Sequence, residues 1–231
     1  MLVIDKPLGM SSAYVCTVIR GKAGGAKVGH TGSLDPLATG VLVLCLGRAT
    51  RLVEQIMGSP KRYLTTIDLA AFSTTEDREG DLTPIDVAIA DRPTRDAIAR
   101  SLAQHFTGVI SQAPPAFSAL KIGGRPAYKL ARAGGLPSEL EPRSVRIDAI
   151  EIIDYAWPSL TLDIRCGRGT YIRSIARDLG RSLGTGGHLT ALRRTEVGQF
   201  TDAQAQQLES VPQGAGFDAS ILIPMDALQS G

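Results

Sequence analysis

Gly29-His30-Thr31-Gly32-Ser33-Leu34-Asp35-Pro36-Leu37-Ala38-Thr39-Gly40 runs directly into Val41-Leu42-Val43-Leu44-Cys45-Leu46. The first stretch holds three glycines, one His and one carboxylate, with almost no bulky side chain. The second is the longest uninterrupted apolar run in the chain. A loop whose backbone can approach a ligand closely is thus set against a buried element, and Asp35 stands in it. That is how a rigid floor presents a single catalytic group. An isolated Leu-Asp-Pro would read only as a helix cap followed by a first-turn proline. The flanking glycines and the neighbouring His30 are unusual for a cap.

Working outward, Leu2–Ile4 reads as a short strand, and Ser11 or Ser12 caps a helix with apolar positions Val15, Val18 and Ile19. A helix is expected over Ala49–Met57, ending at Gly58-Ser59-Pro60. Tyr63, Thr65, Ile67, Leu69 and Ala71 alternate with more polar residues, as along one face of a strand. Thr74–Thr83 reads as a charged turn, and Thr94–Phe106 as an amphipathic helix with Ile98, Leu102 and Phe106 on one side. Residues 111–143 are rich in Gly, Pro and basic side chains. They read as an excursion from a sheet, with a short helix over Ala127–Ala133. Val145–Tyr155, Ser159–Cys166 and Leu189–Val197 read as strands. The helix Thr170–Leu183 buries Ile172, Ile175, Ala176, Leu179 and Leu183. Its Arg173, Arg177 and Arg181 form a basic stripe on the opposite side. Strands in succession with interspersed helices imply an α+β fold.

The 231 residues suffice for one large domain or two small ones, and 43% apolar content can build a core. No stretch approaches the length of a membrane helix. No signal peptide is read, because Asp5 and Lys6 interrupt the first apolar residues. Cys16, Cys45 and Cys166 are scattered and read as reduced, mostly buried thiols of a cytoplasmic protein. No metal site and no cofactor are expected, since no Cys/His cluster and no phosphate-cradling or dinucleotide motif is present.

The net charge of +2 conceals an asymmetry. Residues 1–62 carry eight Lys/Arg against three Asp/Glu, and residues 163–198 carry seven against three, whereas 63–110 carry four against eight. Basic segments of this kind suit a polyanion such as RNA if the fold brings them together.

The loop also resembles the G-H-x-G-x-L-D-P-x-A-x-G motif of the TruB family of tRNA pseudouridine synthases. Five further segments resemble that family, in its order along the chain. They are Asp5-Lys6-Pro7-Leu8-Gly9-Met10-Ser11-Ser12, Lys61-Arg62-Tyr63, Pro114-Pro115-Ala116-Phe117-Ser118-Ala119-Leu120-Lys121, Gly167-Arg168-Gly169-Thr170-Tyr171-Ile172-Arg173, and Gly186-Gly187-His188-Leu189-Thr190-Ala191-Leu192-Arg193-Arg194-Thr195.

The resemblance implies a pseudouridine synthase fold: a mixed, mostly antiparallel sheet flanked by helices, with an RNA-clamping insertion at 111–143. It implies an isomerase that flips the T-loop uridine of tRNA out of its stack and rebuilds the glycosidic bond through C5. Asp35 would be the catalytic carboxylate, Arg173 its two-point partner, and Tyr63 the ring stacked on uracil. Tyr171 and Leu192 would complete the pocket, and Lys6 would support it. His30 would fill the gap left by the flipped nucleotide. Lys121, Arg125, Lys129 and Arg132 would contact the T arm of tRNA, the expected partner. The expectation is one catalytic domain over 1–231, with an acidic tail at 199–231 and no PUA-type RNA-binding domain. Residues 69–77 lack the family's turn glycine, so an altered turn is expected there. A non-catalytic tRNA-binding or tRNA-folding protein is the alternative, which the retained Asp35, Tyr63 and Arg173 weigh against.

Overall fold

A computed structural model describes residues 1–118, 120–134, 140–214, 217 and 219–228. The chain forms two compact units. One comprises Met1–Leu64 and Leu192–Gly231, the other Thr65–Ala191.

In the first unit, β1 (Leu2–Lys6) leads to α1 (Ser12–Lys22), whose N-terminus is capped by Ser11 accepting from the Tyr14 amide at 3.1 Å. Then come β2 (Val28–His30), β3 (Ala38–Leu46), a 3-10 turn (Gly47–Leu52) and α2 (Val53–Gly58). The 3-10 turn replaces the first half of the helix expected over Ala49–Met57. Next, β4 (Lys61–Asp68) passes into the second unit. There β5 (Ala71–Ser73) and β6 (Leu82–Pro84) form a small hairpin. It is followed by α3 (Arg95–His105), β7 (Gly108–Gln112), the short strands β8 (Lys121–Ile122) and β9 (Arg125–Pro126), and α4 (Ala127–Arg132). The long hairpin β10 (Arg143–Ala156) and β11 (Ser159–Cys166) precedes α5 (Ile172–Leu183). Finally β12 (His188–Val197) returns to the first unit, which ends with β13 (Phe200–Thr201) and β14 (Gln206–Gln207).

The main sheet is mixed and mostly antiparallel, with ten strands among the described residues, and the α+β expectation is borne out. In the first unit β3 pairs antiparallel with β1 and β2, and parallel with β12, where Leu192, Arg193 and Arg194 face Ala38, Thr39 and Gly40. In the second unit β10 pairs antiparallel with β11 and β7. Strand β7 lies where sequence reading ends a helix and begins an excursion. Its residues Gly108-Val109-Ile110-Ser111-Gln112 are too few to show a period, and four of the five are not buried.

Two apolar clusters hold the first unit. Leu2, Ile4, Val15, Ile19, Leu42 and Leu44 pack on one side of β1 and β3, and Met1, Val3, Val41, Val43 and Cys45 on the other. The strands therefore have a continuous apolar character because both faces are covered. Leu208 and Val211 join the first cluster, and Phe200 the second. The segment read as an acidic tail thus puts Phe200, Leu208 and Val211 into the core. All three cysteines are buried, and burial raises the Cys45 pKa to about 11.

Candidate active site

Asp35 is half-buried, and the carbonyl it carries accepts from the Ala38 amide at 3.0 Å, which closes a tight turn at the head of β3. Three side chains fasten this loop by its main chain. Lys6, fully buried at the end of β1, donates to the carbonyls of Pro7 (2.9 Å), Met10 (2.6 Å) and Pro36 (3.4 Å). Ser12, in the first turn of α1, accepts from the Leu34 amide at 2.8 Å and donates to the Leu34 carbonyl at 3.2 Å. Arg194 on β12 donates to Val41, Gly32 and Ser33 carbonyls. The backbones on either side of Asp35 are gripped, and a buried cation solvated by carbonyl oxygens does part of the gripping.

Tyr63 and Leu192 are each 8% exposed. Tyr63 belongs to the buried face of β4 with Lys61, and Leu192 stands opposite Ala38. His30 ends β2 opposite Leu44 and is half-buried. Among the described residues its buried Nδ1 has no hydrogen-bond partner. Burial, and then the nearby Arg194 charge, push its pKa below the ordinary histidine value. Lys6, His30, Asp35, Tyr63 and Leu192 all belong to the first unit, while Tyr171 and Arg173 belong to the second.

On α5 the basic stripe is largely covered, and Arg173 is its most buried member. It is 4% exposed. Nη1 donates to Thr75 O at 3.0 Å and Nη2 to Phe117 O at 2.8 Å, and Nε lies 3.7 Å from Asp77 Oδ2. Arg177, one turn on, pairs with Glu76 at 2.5 Å and donates to the Ala113 carbonyl at 3.0 Å. Only Arg181 of the three is open to solvent. Periodicity placed the three on one face correctly. What it missed is that the turn 73–77 covers that face.

This turn lies in the stretch 69–77, where the family's turn glycine is missing. Glu76 has φ +63°, the one non-glycine residue with positive φ among those described. Burial raises its carboxyl above the ordinary range against the pull of Arg177. Asp77 is held by the Thr75 hydroxyl at 2.5 Å and the Glu79 amide at 3.0 Å. Tyr171 is N-terminal to α5 and locked by Gln112, which accepts from its amide at 2.8 Å and donates to its carbonyl at 3.1 Å. Sequence reasoning missed Asp77, Gln112, Ser12 and Arg194 as supporting residues. For Arg194 a signal existed, since alternation along β12 places it on the same side as buried Leu192.

In the insertion, Arg125 is exposed on β9. The side chains of Lys121, Lys129 and Arg132 lie outside the described residues. No helix among those described is long and apolar enough to cross a membrane.

Residues 20–172 match the model of the N-terminal domain of TruB family pseudouridylate synthases, and residues 173–228 match that of the tRNA pseudouridylate synthase B C-terminal domain. The second match includes most of the segment read as a tail. The chain is 45% identical over 214 residues to tRNA pseudouridine synthase B of Pseudomonas aeruginosa, covering 91% of this chain and 68% of that protein. It is 41% identical over 232 residues to the protein of the same name from Neisseria meningitidis serogroup A, covering 99% and 73%. Among solved structures it is similar to a chain of a Cbf5–Nop10–Gar1 complex, with a TM-score of 0.69 and 28% identity over 91% of this chain. The chain spans about half the length of that protein, 52%.

Proposed function

The chain belongs to the TruB family of pseudouridylate synthases, and we propose that it isomerises the T-loop uridine of tRNA to pseudouridine in the cytoplasm, with Asp35 as the catalytic carboxylate. The observation that carries this reading is the half-buried Asp35 on a loop fastened through its main chain by Lys6, Ser12 and Arg194. Three buried cysteines scattered along the chain suit a reducing compartment.

The reaction breaks the C1′–N1 bond, rotates uracil and forms a C1′–C5 bond. An ionised carboxylate beside the ribose can serve it as a nucleophile at C1′ or as a base towards the sugar on a glycal-type route. Both routes need the charge held in place before the base arrives, so positioning and electrostatics supply most of the acceleration. In this reading Arg173 fixes that carboxylate. Its anchoring to Thr75 O, Phe117 O and Asp77 supports the role, because a guanidinium held on several sides loses little entropy when it orients another group. Tyr63 stacks on the extruded uracil, and Tyr171 and Leu192 wall the pocket. His30, neutral and short of a partner at Nδ1, takes the space vacated in the T loop. Lys121, Arg125, Lys129 and Arg132 contact phosphates of the T arm. No metal or organic cofactor takes part.

The test is incubation of an unmodified tRNA transcript with wild type and Asp35→Asn, in the presence of a chelator, followed by mapping of pseudouridine. Wild type should modify the T loop, and the Asn variant should bind tRNA yet form no product. Equal rates would favour the alternative assignment, a tRNA-binding protein whose Asp35 is not catalytic.

A further inference from the structure

Leu192-Arg193-Arg194 lies in the last family-like segment, and the reaction described above gives Arg194 no part beyond that of one tether among three. Arg193 faces outward and forms a two-point contact with Asp5, at 2.9 and 3.2 Å. Arg194, its neighbour, faces the other way and is 1% exposed. Its Nε donates to Val41 O at 2.8 Å, Nη2 to Gly32 O at 3.2 Å, and Nη1 reaches Ser33 O at 3.5 Å. Gly32 and Ser33 precede Asp35, and Val41 follows it. One guanidinium therefore joins the two arms of the loop that carries the carboxylate.

The backbone is arranged for this. Arg194 pairs in parallel register with Gly40. A Cβ on Gly40 would fall 2.2 Å from the Arg194 carbonyl oxygen, and Gly40 has φ +97°. A glycine there lets β12 come close enough for the side chain to cross the loop. Lys6 and Ser12 act differently. They hold the loop near its tip, at Pro36 and Leu34, whereas Arg194 braces its arms above the point where the Thr31 amide and hydroxyl close them on the Val43 carbonyl.

A buried cation is an expensive way to fill space, and an apolar side chain would pack more favourably. A planar fork with donors in several directions is what three carbonyls around a loop require. We infer that Arg194 is a positioning residue for the reaction: it sets the separation of the loop's arms, and with it the place and angle of the Asp35 carboxylate, without touching substrate. This rests on the catalytic role proposed for Asp35.

The experiment compares full-length wild type, Arg194→Lys, Arg194→Gln and Asp35→Asn on an unmodified tRNA transcript. Single-turnover rate, tRNA dissociation constant and thermal melting are measured for each. Arg194→Lys keeps the charge and loses the fork. Its rate should fall about 100-fold, as a small displacement of a reacting group does. Its tRNA dissociation constant should stay within roughly threefold of wild type, and a cooperative melt should remain. Arg194→Gln should show the same split. A wild-type rate in Arg194→Lys would overturn the inference, as would a loss of tRNA binding equal to the loss of rate. Failure of both variants to fold would also overturn it, making Arg194 a requirement of the fold. Full activity in Asp35→Asn would instead sink the catalytic reading on which this one rests.

Discussion

Asp77 Oδ2 lies 3.7 Å from Arg173 Nε, and each side chain is only 5% exposed. Thr75 and the Glu79 amide hold the other carboxylate oxygen of Asp77. The arginine proposed to orient Asp35 thus has its own orienting carboxylate on a neighbouring turn.

Asp77→Asn should therefore lower turnover while leaving tRNA affinity nearly unchanged. Removing one member of a buried ion pair leaves its partner poorly compensated, and a shift in Arg173 would carry to whatever it orients. Single-turnover rates should fall roughly 10-fold to 100-fold. An unchanged rate with a normal melting curve would show that Asp77 merely shapes the turn.

His30 gives a pH dependence of stability. Its folded pKa is depressed by burial and by Arg194, so below the ordinary value of 6.5 the folded chain binds fewer protons than the unfolded one. Stability from this group is therefore present above that value and is lost as pH falls through it. Urea unfolding from about pH 5 to 8 should show a steeper acid-side decline in wild type than in His30→Gln. Every other residue is common to both proteins, so the difference isolates His30. Parallel curves would refute the assignment.

Gly187→Ala should be strongly destabilising. A Cβ there would lie 2.1 Å from the Ala176 carbonyl oxygen of α5, and backbone cannot step aside as a flexible side chain can. Overpacking of this kind costs about 1–3 kcal/mol or more. Gly21→Ala is the control, because a methyl group added to that residue of α1 would meet nothing within 4 Å. It should gain roughly 0.4–1 kcal/mol by restricting the unfolded chain. A melting temperature that rises in Gly187→Ala, or falls in Gly21→Ala, would contradict the corresponding claim.

Leu208→Ala should cost about 2–5 kcal/mol. Leu208 is buried against the cluster of Leu2, Ile4, Val15 and Leu42, although it stands in the acidic segment after β12. Denaturant unfolding measures this. A change below roughly 0.5 kcal/mol would mean that the segment after Thr201 is loosely attached.

Most elements were legible because their signals are local. Ser11 caps a helix, the apolar run 41–46 is buried, and the alternation from Tyr63 onward shows the sidedness of a strand. The loop that carries Asp35 was legible from its glycines and the apolar run after it. What escaped depends on contacts distant in sequence. Arg173 and Arg177 look solvated on a helical wheel until a turn about 100 residues earlier covers them, as in the Arg177–Glu76 contact. Asp77 looks like any acidic turn residue. Leu208 and Val211 are too sparse to form a pattern, yet both reach the core.

The tethers of Lys6, Ser12 and Arg194 on the Asp35 loop all end on amides or carbonyls. Every amino acid supplies a carbonyl, and every one except proline an amide. The fastening is therefore blind to which side chains the loop displays. Exposed positions such as Ser33 can drift over evolutionary time, and so retune what the loop meets, while its shape is inherited unchanged. A saturation library over Ser33 should show broad tolerance, in contrast to Gly40, where the approach of Arg194 leaves no room for a side chain.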